Sequence, residues 1–579
     1  MDTLSQDIDP ITTEVIRKKM TSIVEQIETN IVRTAYSPLI YEYKDFAVGV
    51  VDCDGRLMVQ GCGGIPVFSA NLLGLAVRDG LELYGLDGFE RGDIVICNHS
   101  GVLGQHLNNV AMYTPIFAPD GHDRILGFMA IVVHWADVGG RTIGSFTSLQ
   151  GTDIYQEGIQ FRTLKLWRKG EPVPEIFRVI ESNTRFPAVV LGDIDSQIAG
   201  CLMGRDLFEE MVAEYGATTI HQVVEIIWEQ SERAARTFIE GIPDGTYSAE
   251  AFIDNDGNDL VTPIRMPVTV IVSGGKLTVD YSQVSEQVRG PFNSGRNGGG
   301  ITAARMAFNF LVNPDEGAND GFYRPVDVLL PDGKFLSAAP GAAMGRYNAP
   351  LSTLIDTIIN AMGAALPDKV AAGHHADIGG HMFTGIDPVT GETFKTQDTS
   401  LGGWGALHDR DGPGPFKTYV HGDTLNVPAE LQEAKYPLRL DRFALRPDSG
   451  GAGTYRGGLG TEKTYTTLVP CRVSLNFDRT LCAPWGLGGG ASGATGEAIV
   501  ERTGEAPRVV KKGEIDLAAG DRVRLYFGGG GGYGPAAGRE RASVARDVAL
   551  GYVSPQSAER DYDFTGEPIE TGEKAPSPR

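Results

Sequence analysis

Two short phrases carry residue types that bind metal ions and move protons. Residues 131–140 read IVVHWADVGG and residues 373–380 read GHHADIGG. Each places a histidine three residues before an aspartate, followed by a β-branched residue and a glycine pair. In the first phrase these are His134 and Asp137. In the second they are His374 and Asp377, with His375 between. The first third also offers Asp45 in YKDF, and His99 and His106 in NHSGVLGQHLNN. Imidazole and carboxylate are the donors that hard or borderline divalent ions accept. Each segment opens a buried strand into a loop, where binding residues are commonly carried. Spacing alone leaves a plainer reading open: a histidine at a strand end often serves as a hydrogen-bonded structural residue.

These side chains need elements to hold them. After Asp9-Pro10, Val15, Ile16, Met20, Ile23, Val24, Ile27, Ile31 and Val32 share one helical face. That period predicts a long amphipathic helix, with Thr12 or Thr13 as its cap. YKDFAVGVVDCDGRLMVQG reads as a hairpin turning at Asp-Gly. GDIVICN is a strand running into a loop, and DRILGFMAIVVHWADVGG is a buried strand that ends at the first phrase. Residues 187–240 read as helical, about 245–290 as alternating strands, and 351–366 as another helix. Strand and turn dominate from there to about residue 535. A helical RERASVARDVALGY then leads to a polar tail, ETGEKAPSPR, expected to be disordered. No tandem repeat is visible. The run DNDGND, from Asp254 to Asp259, resembles half a calcium loop but lacks the closing Glu, and reads as a hairpin turn.

The 579 residues include 76 glycines, gathered after residue 285 in runs such as GRNGGG, SGGAGTYRGGLG and FGGGGGYG. Strands such as RVSLNF and RVRLYF lie between them, so the runs read as tight turns and close backbone contacts. The expected fold is α+β. A helix-and-sheet region over 1–245 carries the candidate metal site, a β-rich, Gly-rich region spans 246–540, and a C-terminal helix and tail span 541–579. A net charge of −23 disfavours nucleic acid as a partner. Six scattered cysteines form no C-x-x-C pair and suit a reducing cytoplasm. MDTLSQDIDP lacks the basic and apolar regions of a signal peptide, and no apolar run is long enough to span a bilayer. A cytoplasmic location is therefore expected.

Many segments, in order, resemble the hydantoinase B/oxoprolinase family. They include DPITTEVIRKKM, KDFAVGVVDCDGRLMVQ, GDIVICN, HWADVGG, IYQEGIQF, LGDIDSQIAG, GPFNSG, FYRPVDVLLPDG, GGWGA, LRPDSGGAGTYRGGLG and GGGGGYGPAAGR. That family holds the B subunit of N-methylhydantoinase, the matching half of 5-oxoprolinase, and subunits of acetone and acetophenone carboxylases. The resemblance implies a divalent metal (zinc, manganese or iron) on Asp45, His106 and His134. Asp137 would then be a further ligand or an acceptor that orients an imidazole. Two positions depart from the family's usual NDPYLGGTHLPD loop. His99 replaces the aspartate after Asn98, and Asn109 replaces the final one. The loop is therefore less acidic, and an amide stands where an anion is expected. The QHLNN and HWAD forms also lean toward the ketone-carboxylase branch.

The second phrase has two readings. One is a turn with similar letters. The other brings His374, His375 and Asp377 to the same cleft, with His408 and His421 near them. No G-x-x-x-x-G-K-[ST] loop is present. The resemblance therefore implies that a hydantoinase A-type subunit binds ATP in a hetero-oligomer acting on a small carbonyl compound. Hydrolytic opening of a hydantoin or 5-oxoproline ring is the first expectation. Carboxylation of a ketone is the alternative, and a non-catalytic scaffold subunit is the third reading. The sequence assigns no catalytic residue.

Overall fold

The apolar runs of the first third become the middle of a seven-stranded antiparallel sheet. The computed structural model describes residues 8–119, 124–144, 149–312 and 317–566. The sheet comprises β1 (Phe46–Val51), β2 (Leu57–Gln60), β3 (Ile94–Cys97), β4 (Asn109–Phe117), β5 (Ile125–His134), β6 (Leu164–Arg168) and β7 (Glu171–Pro172), in the order β2-β1-β5-β4-β3-β6-β7. Every residue of β1, β3 and β4 is buried. A strand covered on both faces needs no polar alternation, so these segments read as continuous apolar runs.

Helices supply the two covers. Helix α1 (Pro10–Thr34) and α3 (Pro187–Tyr215) lie on one face, where Gly200 of α3 meets Ile27, Ile31 and Ile131. Helix α2 (Leu72–Tyr84) lies on the other, with Leu73 against Gly49. Gly49 pairs directly with Ala130, the neighbour of Ile131, so the two contacts sit on opposite faces. Gln197 of α3 donates to Val110 O and Ile131 O, both at 2.9 Å, and ties β4 to β5. The helix start differs from expectation. Asp9 is the cap, accepting from Ile11 N at 2.8 Å and Thr12 N at 3.3 Å, because Pro10 at the first helical position fixes the backbone there. Helix α4 (Ala217–Glu240) follows α3 after Gly216.

The chain divides into two compact units. The first is Met1–Thr246, Val270–Asn348 and Val420–Asn426; the second is Tyr247–Thr269, Ala349–Tyr419 and Val427–Arg579. Two segments from the region set down as 246–540 therefore pack with the N-terminal residues. Their apolar side chains explain this. Phe308 and Phe322 meet at 5.1 Å, and Gly321 lies against the backbone of Trp228 in α4. Strands Lys276–Asp280 and Val326–Leu329 pair in parallel within this unit.

The second unit is β-rich. One sheet joins Thr393–Lys395, Gly380–Ile386, Cys471–Asn476 and Lys512–Leu517; another joins Leu438–Leu445, Thr461–Thr467, Arg522–Tyr526, Glu497–Glu501 and Arg508–Val510. Val473, Leu475, Phe477, Val523, Leu525 and Phe527 form a shared core, with the Phe477 and Phe527 rings stacked at 5.6 Å. The glycine runs bring backbone against backbone. A Cβ on Gly529 would sit 1.8 Å from Ser449 O, and one on Gly530 would sit 2.0 Å from Trp404 O. Helices Arg541–Ala549 and Pro555–Tyr562 close this unit; the ETGEKAPSPR tail lies outside the described residues.

One buried carboxyl marks the first unit's pH response. Glu28 of α1 is 8% exposed, and Gly63 N donates to both its oxygens at 3.2 Å. Burial pushes its carboxyl from 4.5 up to about 7, against the pull of the Gly63 N–H. The folded chain thus keeps a proton that the unfolded chain has lost. Stability falls as pH rises from about 4.5 to about 7 and stays lower above that. Glu28→Gln should stabilise the protein at pH 8 by up to about 3 kcal/mol, and by much less at pH 5. Urea unfolding at the two pH values checks this; an equal gain at both would refute it.

Candidate metal centre

Register places three polar side chains in one row. Asn109, the first residue of β4, pairs directly with His134, the last of β5. Phe46 pairs with Val133, so Asp45 falls one step further, beside His134, and His134 N donates to Asp45 O at 3.1 Å. Side chains directly opposite on neighbouring strands share a face about 5 Å apart. Asp45, His134 and Asn109 therefore stand abreast at one end of three adjacent strands, and His106 joins them from the loop before β4. All four are buried: 6%, 2%, 0% and 3% exposed for Asp45, His134, Asn109 and His106.

Hydrogen bonds fix the orientation of Asn109. Its Nδ2 donates to Gln105 Oε1 at 2.6 Å and to the Tyr347 hydroxyl at 3.1 Å. Both amide hydrogens are thus used, and Oδ1 faces the imidazoles. His106 Nε2 donates to it at 2.7 Å and His134 Nδ1 at 3.3 Å. His134 Nδ1 is also 3.7 Å from Asp45 Oδ2, and the two imidazole rings are 5.0 Å apart. Burial, and next the charge of Asp45, push the Tyr347 phenol well above its ordinary range, so it stays protonated. Its ring packs edge-on against His106 at 5.0 Å.

Donor chemistry and spacing fit a divalent ion. Donors at about 2.1 Å from one ion lie roughly 3 to 3.4 Å from each other; the separations here are 2.7, 3.3 and 3.7 Å. The set is two imidazoles, one carboxylate and one amide oxygen. Among the described residues, no three His, Cys, Asp or Glu side chains by themselves are gathered tightly enough to hold an ion. The oxygen that closes the gap belongs to Asn109.

The surrounding loops are pinned by polar side chains that sequence reasoning gave no role. Asn98 Nδ2 donates to Leu107 O and Ile159 O at 2.8 and 3.0 Å, and its Oδ1 accepts from Phe161 N at 2.6 Å. This anchors the residue next to His106. Asn108 and Trp135 exchange two hydrogen bonds of 2.8 Å, holding the loop to the end of β5. Glu157 accepts from Met344 N and Gly345 N at 2.7 and 2.8 Å, which tethers the segment bearing Tyr347. Burial pushes the Glu157 carboxyl up to about 8.

The other predicted residues are engaged elsewhere. Asp137 turns to Arg185, with Nη1 to Oδ1 at 2.9 Å, and accepts from Arg185 N and Gly144 N at 2.8 and 3.0 Å. It is fully buried, and these bonds anchor the loop that follows β5. His99 caps the single helical turn Ser100–Leu103, accepting from Gly101 N at 3.2 Å. His421 stacks edge-on against Tyr43 at 6.1 Å, two residues before Asp45. The second phrase belongs to the second unit. There His374 Nδ1 lies 3.1 Å from Asp356 Oδ1, and Arg479 holds the other Asp356 oxygen at 2.8 Å. His375 Nε2 donates to Phe416 O at 3.2 Å, and Asp377 Oδ1 accepts from Gly379 N and Asp478 N at 2.9 and 3.0 Å. Burial holds both histidines below their ordinary range and lifts the Asp377 carboxyl well above its own. DNDGND is a turn in which Asp256 accepts from Asn258 N and Asp259 N.

Residues 9–536 match the model of the hydantoinase B/oxoprolinase family. The chain belongs to that family. An uncharacterised protein of Methanocaldococcus jannaschii is 30% identical over 96% of both chains. The caprolactamase subunit beta of Pseudomonas jessenii is 27% identical over 96% of both. A chain of the crystal structure of that organism's ATP-dependent caprolactamase superposes with a TM-score of 0.89, at 25% identity over 98% of both chains. Acetone carboxylase, in a nucleotide-free structure, shares the fold with a TM-score of 0.85 at 19% identity. The match covers 96% of this chain and 80% of that one. None of the described helices is long and apolar enough to cross a membrane.

Asn98→Ala would strand two buried carbonyls and one N–H beside His106. We expect it to cost about 2 to 4 kcal/mol of unfolding free energy. Chemical denaturation measures this, and a loss below about 0.5 kcal/mol would show that water replaces the amide.

Proposed function

We propose that the chain is the metal-bearing B-type subunit of an ATP-dependent enzyme that opens a cyclic amide. The observation that carries this is the donor row of Asp45, His134 and Asn109, completed by His106, in a chain that matches a caprolactamase structure end to end. Asp45, His106 and His134 would hold the ion, and Asn109 would supply a neutral oxygen. A divalent ion there supplies Lewis acidity, polarising a carbonyl oxygen or acidifying a water.

The chain's own groups do the positioning. Gln105 and Tyr347 hold the amide of Asn109 so that its oxygen, not its nitrogen, faces the imidazoles. Asp45 contributes the one anion of the row, close to His134. Strand ends fix three of the four groups, which keeps the donors from spreading when substrate arrives. An amide carbonyl resists attack, and phosphorylation of its oxygen relieves that resistance. ATP is expected on a hydantoinase A-type partner, since this sequence has no Walker-type loop. The beta-subunit name of the caprolactamase relative supports a partner of that kind.

Asn109 favours a second reading. An amide in place of a carboxylate leaves the site less anionic, as suits an enolate formed from a ketone, and the acetone carboxylase fold is the same. The discriminating experiment uses the chain co-purified with an A-type partner. We expect ATP turnover that depends on hydantoin or a lactam and needs no bicarbonate. Turnover requiring both bicarbonate and a ketone would assign the carboxylase instead. His106→Ala and His134→Ala should each lose at least about 100-fold in turnover, and should lose bound zinc, manganese or iron by elemental analysis. Folded variants that keep full activity would leave only a scaffold.

A further inference from the structure

The first unit holds a cavity of about 330 Å3 whose walls are tied to the segment around Asp45. One wall is the loop after β2, which runs hydrogen-bonded along β1: Gly61 N donates to Val48 O at 2.9 Å and Ile65 N to Phe46 O at 2.8 Å. The lining also includes Gly422 and Asp423, between His421, which stacks on Tyr43, and Leu425, whose N donates to Tyr43 O at 3.3 Å. Both segments are thus tied to residues that flank Asp45 in the chain. Met306, Phe310 and Tyr323 give the cavity an apolar side, and Gln60 and Asn309 give it neutral polar groups.

Its charge is one-sided. Among the described residues that line it, Asp423 is the only charged one. Glu28 lies directly behind the Gly61–Gly63 wall, and its carboxyl, lifted by burial to about 7, adds negative charge only above that pH. One cation on an adjoining element is already matched. Arg305 lies 4.8 Å over the Tyr323 ring, donates to Ala70 O and Asn71 Oδ1, and faces Asp320 at 3.6 Å. A carboxylate entering this space would meet Asp423 and find no cation to pair with among the described lining residues, which rejects it more surely than a missing contact would.

We propose that this cavity is the substrate pocket of the centre described above, and that it takes uncharged carbonyl compounds and turns away carboxylates. The inference rests on the reading under Proposed function and narrows its substrate class. The volume lies at the small end of ligand pockets and admits a single lactam or hydantoin ring. It separates members of one chemical class: 2-pyrrolidinone and 5-oxoproline share a ring and differ by one carboxylate.

Two measurements test it. Cys62 lines the cavity and is exposed, so its alkylation reports on the pocket without any turnover. In the full chain, the ratio of iodoacetamide to iodoacetate rates at Cys62, mapped by mass spectrometry, should exceed that of glutathione by about tenfold. Asp423→Asn should bring the ratio back toward the glutathione value. A ratio at Cys62 equal to that of glutathione would overturn the proposal. In the complex with the ATP-binding partner, kcat/KM for 2-pyrrolidinone should exceed that for 5-oxoproline by at least about tenfold. Equal or reversed preference would also overturn it. Should neither ring be turned over, the activity reading fails, and the alkylation ratio alone decides what charge the pocket accepts.

Discussion

The candidate centre depends on one constraint, the register of β1, β5 and β4. Side chains alternate across a sheet with period two, so a slip of one residue would send Asn109 to the opposite face from His134. Asp45 would lose its place beside them in the same way. Nothing in the chemistry of a histidine or an aspartate protects against this. Burial does, because every residue of β1 and β4 is enclosed and either slip would misplace a whole set of apolar side chains. Gln197 adds a directional lock, since its amide reaches one carbonyl on each of β4 and β5. The apolar packing of the sheet is therefore what specifies the polar row at its end.

Around that row, neutral polar groups fix the loops. Asn98, Gln105, Asn108 and Asn109 are all buried, and each bonds to backbone or to a neighbouring amide. Amides suit this work because they donate and accept at once and carry no charge to desolvate. A buried carboxylate appears where a partner answers it, Asp137 with Arg185, while Glu157, which accepts from two backbone N–H groups, has its carboxyl lifted by burial to about 8. Asn109 does both jobs. It is a strut between Gln105 and Tyr347 and an oxygen presented to the imidazoles. An aspartate there could not donate to Gln105 and Tyr347 through a deprotonated carboxylate, so the substitution that removes an anion also builds the strut.

Local sequence showed a good deal of this. The helical period gave α1, α3 and α4, the apolar runs gave the buried strands, and the Asp-Gly turn gave the β1–β2 hairpin, because each is set by neighbours a few residues apart. Family resemblance named Asp45, His106 and His134. Hidden were the partners that hold them. Tyr347 meets Asn109 across 238 positions, and Arg185 meets Asp137 across 48. Periodicity reports which residues are buried, not which face each other after long excursions. The return of residues 270–348 to the first unit was invisible for the same reason. Asp9 was nearer to hand: an aspartate directly before a proline at the start of a helical run is a capping signal, and the threonines after it sit inside the first turn.

The doubled phrase shows where chemical meaning comes from. In both copies the aspartate accepts backbone N–H groups and closes a glycine turn: Asp137 from Gly144 and Arg185, Asp377 from Gly379 and Asp478. Gly139 and Gly140 have φ of 83° and 82°, and Gly379 has 52°, a region glycine enters readily. The letters Ala-Asp, β-branched residue, Gly-Gly thus write a sharp exit from a buried segment, useful in either unit. The histidine that precedes them takes its role from what stands beside it. His134 has Asn109 and Asp45 abreast on neighbouring strands. His374 has Asp356, whose other oxygen is held by Arg479, and its ring lies 4.1 Å from that of Tyr419. With its carboxylate shared with a guanidinium and its ring packed against an aromatic one, the second copy is a buried structural pair. The first, set in a row of oxygen donors, is the copy that belongs to the candidate metal centre.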